Sequence, residues 1–385
     1  MLILSPDEAK AGMKLAAAVQ HPDQPDQELL RPGYELEDEV IQRLRRLGVA
    51  FIFVEYPALD DLDRHLAAFL SPARQKLYSQ MKLTIETSQR RTSPAVSYNE
   101  YYSATRELMT TLLSQGQHPI FLDQMARLGN DGVGHAMAVA HLSLLLGIKL
   151  ENYLIEERRR LPCSRAKDVV NLGVAGMLHD IGKYQLPEAL WNLDQIAPPT
   201  DPDALEQWQG HPRLSYEQIR EAVEPTAASA VLQHHQRFDG SGFPSISADG
   251  AEAKRLSERR IHIFARILLA ADLYDRLATG HPRRKSNVEV LHLLRTKYAS
   301  WIDPVVLRGL CAVAPPFPPG CRLRLSDGTS AIVLRVDEID PYSPVVRRIA
   351  EEDWQMAGEQ IDLSLPGTPQ ILSVGETKVK GLVPA

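Results

Sequence analysis

Apolar positions recur along the chain in three different rhythms. Over residues 1–58 they fall in short runs, Phe51-Ile52-Phe53-Val54 being the clearest, and Val40, Leu44 and Leu47 recur at helical spacing between Leu36 and Leu47. A small α+β module is predicted there. Over residues 59–94 the rhythm is helical but mostly polar, with Leu62, Leu66, Phe69 and Leu70 on one side ahead of Gln89-Arg90-Arg91-Thr92-Ser93-Pro94. That predicts a connecting helix and linker. Residues 95–312 are helical almost throughout, interrupted by Ala197-Pro198-Pro199-Thr200-Asp201-Pro202 and by a glycine loop from Asp239 to Pro244. Pro315-Pro316-Phe317-Pro318-Pro319-Gly320 ends that pattern. Alternation in Cys321-Arg322-Leu323-Arg324-Leu325, an Asp327-Gly328 turn and a strand at Ile332 to Val336 then predict a small β-rich domain over 313–385. The predicted fold is multidomain: a large all-α domain flanked by a small α+β N-terminal module and a small β-rich C-terminal domain. No repeat of fixed period is visible.

Composition narrows the class. A length of 385 residues suits two to three domains, and 44% hydrophobic with 24% charged residues is ordinary for a folded globular chain. With 43 Lys and Arg against 49 Asp and Glu the formal charge is −6, and no basic block marks a groove for DNA or RNA. Three cysteines, Cys163, Cys311 and Cys321, are widely spaced and lack a CxxC, which indicates neither a disulfide framework nor a thiolate zinc site. A reducing cytoplasm is expected. The start, Met1-Leu2-Ile3-Leu4-Ser5-Pro6, lacks the basic leader of a signal peptide, and the apolar stretch His135–Ile148 reads as too short to cross a bilayer. No membrane span is expected.

Chemistry concentrates in the helical region. His135 shares a helical stripe with Val139, Leu142 and Leu146, and Asp131 lies one turn earlier on the same face. A lone histidine on such a stripe is usually a hydrogen-bonded core residue, and His141, off the stripe, is assigned no role. Met177-Leu178-His179-Asp180-Ile181-Gly182-Lys183 interrupts an apolar helix with an adjacent histidine and carboxylate. Neighbours on a helix diverge by about 100°, so both reach one partner only if it lies between helices. His211-Pro212 follows the proline-rich segment, and Val231-Leu232-Gln233-His234-His235 closes another apolar helix ahead of Asp239-Gly240-Ser241-Gly242-Phe243-Pro244. Glycines in such a loop permit close approach of backbone to a ligand. Ile261, Ala265, Leu268, Asp272 and Asp275 share the inward face of a further helix. Two carboxylates on a core stripe cost several kcal/mol each unless something positive or hydrogen-bonding compensates them. Imidazole and carboxylate without thiolate point to two or more hard to borderline metals, iron or manganese before zinc.

In this order, His135 in His-x-x-x-Val-Ala, His179-Asp180-Ile-Gly-Lys183, His211-Pro, His234-His235 with Asp239-Gly-Ser-Gly-Phe-Pro244, and Ala271-Asp272-Leu-Tyr-Asp275 resemble the HD-GYP family, a branch of the HD superfamily of metal-dependent phosphohydrolases. The resemblance spans roughly Gly129 to Leu310. It implies a phosphodiesterase that hydrolyses cyclic di-GMP to pGpG, GMP or both with two or three divalent metals, iron first and manganese second. GGDEF-type or other signalling proteins are implied as partners, and an oligomer is allowed. His135, His179, Asp180 and Asp272 are implied ligands of one metal, Asp180 bridging to a second held by His211, His234 and His235. Asp131 stands where some members place a glutamate that supports a third metal, although Asn130-Asp131-Gly132 reads equally as a helix N-cap. Lys183, Arg284 and Lys285 are implied phosphate contacts, Gly240, Gly242 and Phe243 a substrate loop, and Asp180, Lys183 and Asp275 the catalytic groups, with no choice of general acid between the last two.

Three departures accompany the match. Phe243 replaces the tyrosine that names the family, His281 stands where arginine is frequent, and Arg276 where alanine is usual. The segment Glu156-Glu157-Arg158-Arg159-Arg160-Leu161-Pro162 is also longer than usual. A degenerate member, sensing nucleotide or docking a partner without turnover, is the competing expectation.

Overall fold

The computed structural model describes residues 2–4, 6–7, 9–21, 24–49, 52–55, 72–90, 96–114, 132–245, 254–280, 285–337, 339–349 and 357–383. Asp131, His281, Arg284 and the apolar group Leu62, Leu66, Phe69 and Leu70 lie outside them. At the N-terminus β1 (Leu2–Leu4) pairs antiparallel with β4 (Ile52–Val54), Leu4 opposite Ile52, while β2 (Val19–His21) pairs with β3 (Gln24–Leu30). Helix α1 (Asp38–Arg46) has acidic residues in its first turn and arginines in its last, both favourable to the helix dipole, and buries Ile41 and Leu44.

The helical body runs through α2 (Pro72–Gln89), α3 (Tyr98–Ser114), α4 (Gly132–Lys149), α5 (Glu151–Glu157), α6 (Cys163–Ala166), α7 (Val170–Leu178), α8 (Pro202–Gln209), α9 (His211–Ile219), α10 (Pro225–Gln233), α11 (Ile263–Thr279), α12 (Asn287–Thr296) and α13 (Pro304–Val313). Three of these starts share one solution: Asp201, Glu224 and Asp303 each cap with a carboxylate and are followed by proline at the first helical position.

Helix α4 is the axis of the body. Every residue from Val133 to Gly147 is buried, because α2, α7, α11 and α13 pack around it. This corrects the expectation of a single buried stripe: His141, assigned to its outside, is 1% exposed. It also corrects the length argument, since the 18-residue helix is by length and composition long and apolar enough to span a bilayer, yet 83% of it is buried inside the protein. Helix α2 differs from the expected connector in the same way. Leu77, Met81 and Ile85, at successive turns, enter the main core, each such burial contributing about 1.5–3 kcal/mol.

The C-terminal sheet is antiparallel in the order β10-β9-β5-β6-β7-β8, from β5 (Arg322–Leu325), β6 (Ser330–Arg335), β7 (Val345–Ile349), β8 (Ala357–Asp362), β9 (Ile371–Val374) and β10 (Thr377–Lys378). The predicted turn joins β5 to β6, with Gly328 at φ +83° and Asp327 Oδ1 accepting from the Thr329 amide. Ile332 on β6 is fully buried in the core of the N-terminal module, so the two ends of the chain meet.

Candidate metal centre

Three histidines are placed by one local device. A helix leaves its last carbonyls without intrahelical donors, and here imidazoles fill that role: His179 Nδ1 lies 2.8 Å from Gly176 O, His211 Nδ1 2.6 Å from Trp208 O and His234 Nδ1 2.6 Å from Val231 O. A carbonyl only accepts, so each Nδ1 carries the proton and each Nε2 presents a lone pair. The C-terminal ends of α7, α8 and α10, negative by virtue of their dipoles, therefore surround one point.

His135, from α4, joins them differently. Its Nδ1 lies 2.6 Å from Asp275 Oδ2, which turns its Nε2 to within 3.2 Å of both His179 Nε2 and Asp272 Oδ1. A carboxylate behind a ligating imidazole is a recurring support in metal sites. Asp275 thus faces the back of His135 and not the point where the Nε2 atoms meet.

Asp180 sits between two sets. Its Oδ2 lies 3.6 Å from His135 Nε2 and 3.5 Å from His179 Nε2; its Oδ1 lies 3.2 Å from His211 Nε2 and 3.6 Å from His234 Nε2. His235 Nε2 is 3.1 Å from His211 Nε2. Two groups with ligand atoms within 4.8 Å of one another result, His135–His179–Asp180 and Asp180–His211–His234–His235, all buried and sharing Asp180. The geometry depends on Gly182: a Cβ there would come within 2.4 Å of Ser215 N and 2.5 Å of His211 O, so any side chain would push the Asp180 turn away from α9.

Protonation follows from burial and charge. Burial lowers His179, pushes His211 down to about 4 and takes His235 well below its usual value. For Asp180 burial acts upward but is outweighed by Lys183 and His179, and for Asp272 by His135 and Arg276, so both carboxyls are held well below their usual range. Burial and Arg276 oppose charge on His135, yet Asp272 and Asp275 raise it. The Nε2 lone pairs of His179, His211 and His234 face ionised carboxylates, and Asp180 Oδ1 and Asp272 Oδ1 are buried and accept no hydrogen bond, so lone pairs are directed at one another. That costs free energy unless cations lie between them. The donor set is of a kind that holds divalent ions.

Sequence reading missed two neighbours, Gln195 and Trp208, and named a third, Arg276, only as a departure from the family pattern. Gln195 Nε2 donates to Asp272 Oδ2 at 2.8 Å from an irregular segment that carries no periodic signal. Trp208, fully buried, stacks near His211, His235 and Phe243, and its Trp-x-x-His spacing was the available clue. Arg276 Nη2 lies 2.9 Å from Asp180 Oδ2, one turn after Asp272.

Lys183 donates to Asp180 Oδ2 at 2.7 Å and to Leu193 O at 3.2 Å. With Arg276, Trp191 and Asn192 it lines a cleft beside His135 and Asp180. The glycine loop does not line that cleft. A Cβ at Gly242 would meet Arg237 N and His235 O at 2.3 Å, and Gly240 has φ +81°, so these glycines serve the loop's own turn and its close approach to the backbone of His235. Phe243 is 7% exposed, its ring centroid 4.6 Å from that of His235 and 5.3 Å from that of Trp208. Lys285 bonds through its amide to Ala278 O, and none of the described contacts joins it to the centre.

This arrangement defines a class: a helical domain whose adjacent His-Asp pair links two histidine sets. An HD domain family profile matches residues 158–306. The matched residues include His179, Asp180, His211, His234, His235 and Asp272. The chain is 25% identical over 283 residues to the cyclic di-GMP phosphodiesterase PA4108 of Pseudomonas aeruginosa, covering 72% of this chain and 60% of that one. Over 123 residues it is 31% identical to the cyclic di-GMP phosphodiesterase response regulator RpfG of Xanthomonas campestris, covering 31% and 29% of the two chains. Over 117 residues it is 29% identical to a cyclic di-GMP phosphodiesterase of Thermotoga maritima, covering 30% and 28%. Thus it spans 60% of the length of the first relative and under a third of the others. The solved structure of Bd1817, an HDG"Y"P protein from Bdellovibrio bacteriovorus, aligns over 80% of this chain and 97% of that chain at 15% identity, with a TM-score of 0.44.

Proposed function

We propose that this chain is a metal-dependent phosphodiesterase that hydrolyses cyclic di-GMP, to pGpG, GMP or both. The observation that carries the reading is the division of Asp180, whose two oxygens face two different histidine sets. His135, His179, Asp180 and Asp272 would hold one divalent ion, and Asp180, His211, His234 and His235 a second, iron before manganese. Bound there, the two ions would supply Lewis acidity and nucleophile activation at neutral pH.

The chain's own residues do the rest. Carbonyls of Gly176, Trp208 and Val231 hold three imidazoles in the ligating tautomer, and Asp275 does so for His135. Lys183 and Arg276 put two cations on the wall of the cleft, where an anionic phosphodiester is attracted and oriented. Phe243 and Trp208 shield His211 and His235 from water. Cys163, Cys311 and Cys321, none of them in a disulfide, suit a reducing cytoplasm.

Protein prepared anaerobically and assayed with cyclic di-GMP tests the reading. About two equivalents of iron or manganese per chain together with release of pGpG or GMP is the expected result. Metal and nucleotide binding without any turnover would establish the docking or sensing role instead.

A further inference from the structure

Arg276 sits among the donors of the first metal position. Its Nη2 lies 2.9 Å from Asp180 Oδ2, and its Nε lies 3.5 Å from Asp272 Oδ1. These are the two carboxylate oxygens that face His135 Nε2, at 3.6 and 3.2 Å. The second position uses Asp180 Oδ1 with His211, His234 and His235, and none of the described ion pairs brings Arg276 to it. The side chain is 18% exposed; its Nη2 donates a hydrogen bond to Asp180 Oδ2, while its Nε, buried without a hydrogen-bond partner, is held against Asp272 by charge. Asp180 Oδ2 already receives Lys183 Nζ at 2.7 Å.

We propose that Arg276 is an internal competitor of the metal in the His135–His179–Asp180–Asp272 position, so that the two positions of the centre fill unequally. The inference rests on the metal-centre reading above and adds a ranking to it. A guanidinium never loses its proton at ordinary pH, so it cannot yield the oxygens by deprotonating. It has to swing away or share them, and an ion entering beside it meets a like charge at close range. Linkage makes the effect reciprocal: whatever Arg276 gains from Asp180 and Asp272 is withheld from the ion that uses the same oxygens. The position built on His211, His234 and His235 carries no such handicap, and becomes the tight one.

Calorimetric titration of metal-free protein with Mn²⁺ under anaerobic conditions tests this directly, with binding as the readout. The wild type should take up two ions in separated steps. Arg276→Met, which keeps the aliphatic packing and removes the charge, should tighten the weaker step at least tenfold and leave the tighter one within about threefold. Arg276→Lys, charged but without a planar fork able to reach both carboxylates, should fall between. Far-ultraviolet circular dichroism establishes that the variants are folded, and Arg276→Gln serves if the methionine variant is not. Equal affinities of both steps in wild type and neutral variant, or a weaker step that loosens on removing the charge, would overturn the inference while leaving the metal centre standing. No Mn²⁺ uptake by either protein would overturn the metal-centre reading, and this inference with it.

Discussion

Asp275 Oδ2 lies 2.6 Å from His135 Nδ1, joining α11 to α4 across 140 residues of sequence. The contact fixes which imidazole nitrogen faces Asp180 and Asp272, and removing it frees the ring to rotate. Support of this kind is typically worth about 10–100-fold in metal affinity. Asp275→Asn should therefore weaken one metal equivalent by that factor and spare the other, as read by metal titration. Equal weakening of both would show that Asp275 acts on the fold at large.

Asp180 is expected to behave differently, because its oxygens face both histidine sets. In Asp180→Ala both equivalents should be lost in elemental analysis, and hydrolysis of cyclic di-GMP with them. Retention of one tightly held ion would end the bridging assignment.

Phe243 packs against both Trp208 and the His235 ring, which also touch each other, and does not line the cleft. A hydroxyl added there contributes at most one neutral hydrogen bond, about 0.5–1.5 kcal/mol, so Phe243→Tyr should change kcat/KM by no more than roughly tenfold. Conversion of an inactive protein into a fully active one would contradict the packing role.

A second buried charge cluster lies away from the centre. Arg266 is 2% exposed and pairs with Asp303 at 2.5 Å and with Glu157, while Tyr153 donates to Asp303 at 2.8 Å. Asp303→Ala strips Arg266 of one counter-charge and α13 of its N-cap, and breaking such a buried pair costs about 3–5 kcal/mol. The melting temperature should fall by several degrees with metal content unchanged. Arg266→Met with Asp303→Asn, which removes the charges while keeping the cap, should recover much of the loss.

His262 caps α11, its Nδ1 accepting from the Phe264 amide at 3.2 Å, and burial pushes it down to about 4, with Arg158 and Arg266 adding to the shift. The unfolded chain binds this proton near 6.5 and the folded chain near 4, so stability is complete above 6.5 and declines as pH falls toward 4. His211, also lowered to about 4 by burial, contributes in the same window when no metal is bound. In metal-free protein His262→Asn should retain the cap and flatten part of the loss measured by denaturant titration between pH 7 and 4.5. An unchanged slope would place the proton uptake elsewhere.

What the sequence determined is local. Apolar rhythm announced the helical body, the β5–β6 hairpin and α1, and the ligand types were visible because histidine and aspartate interrupt stretches that bury everything else. Adjacency in the His179-Asp180 pair already required a partner between helices. Tertiary structure decided which atoms meet. That α4 is buried on every side, taking His141 inside, follows from four helices surrounding it, a fact outside any single helix's period. Gln195 reaches Asp272 from an irregular segment 77 residues away, and Arg276 reaches Asp180 from 96 residues away. No spacing rule connects such pairs, because their distances are set by how helices cross. The same crossings gave the two oxygens of Asp180 separate neighbours and placed a fixed positive charge beside only one of them.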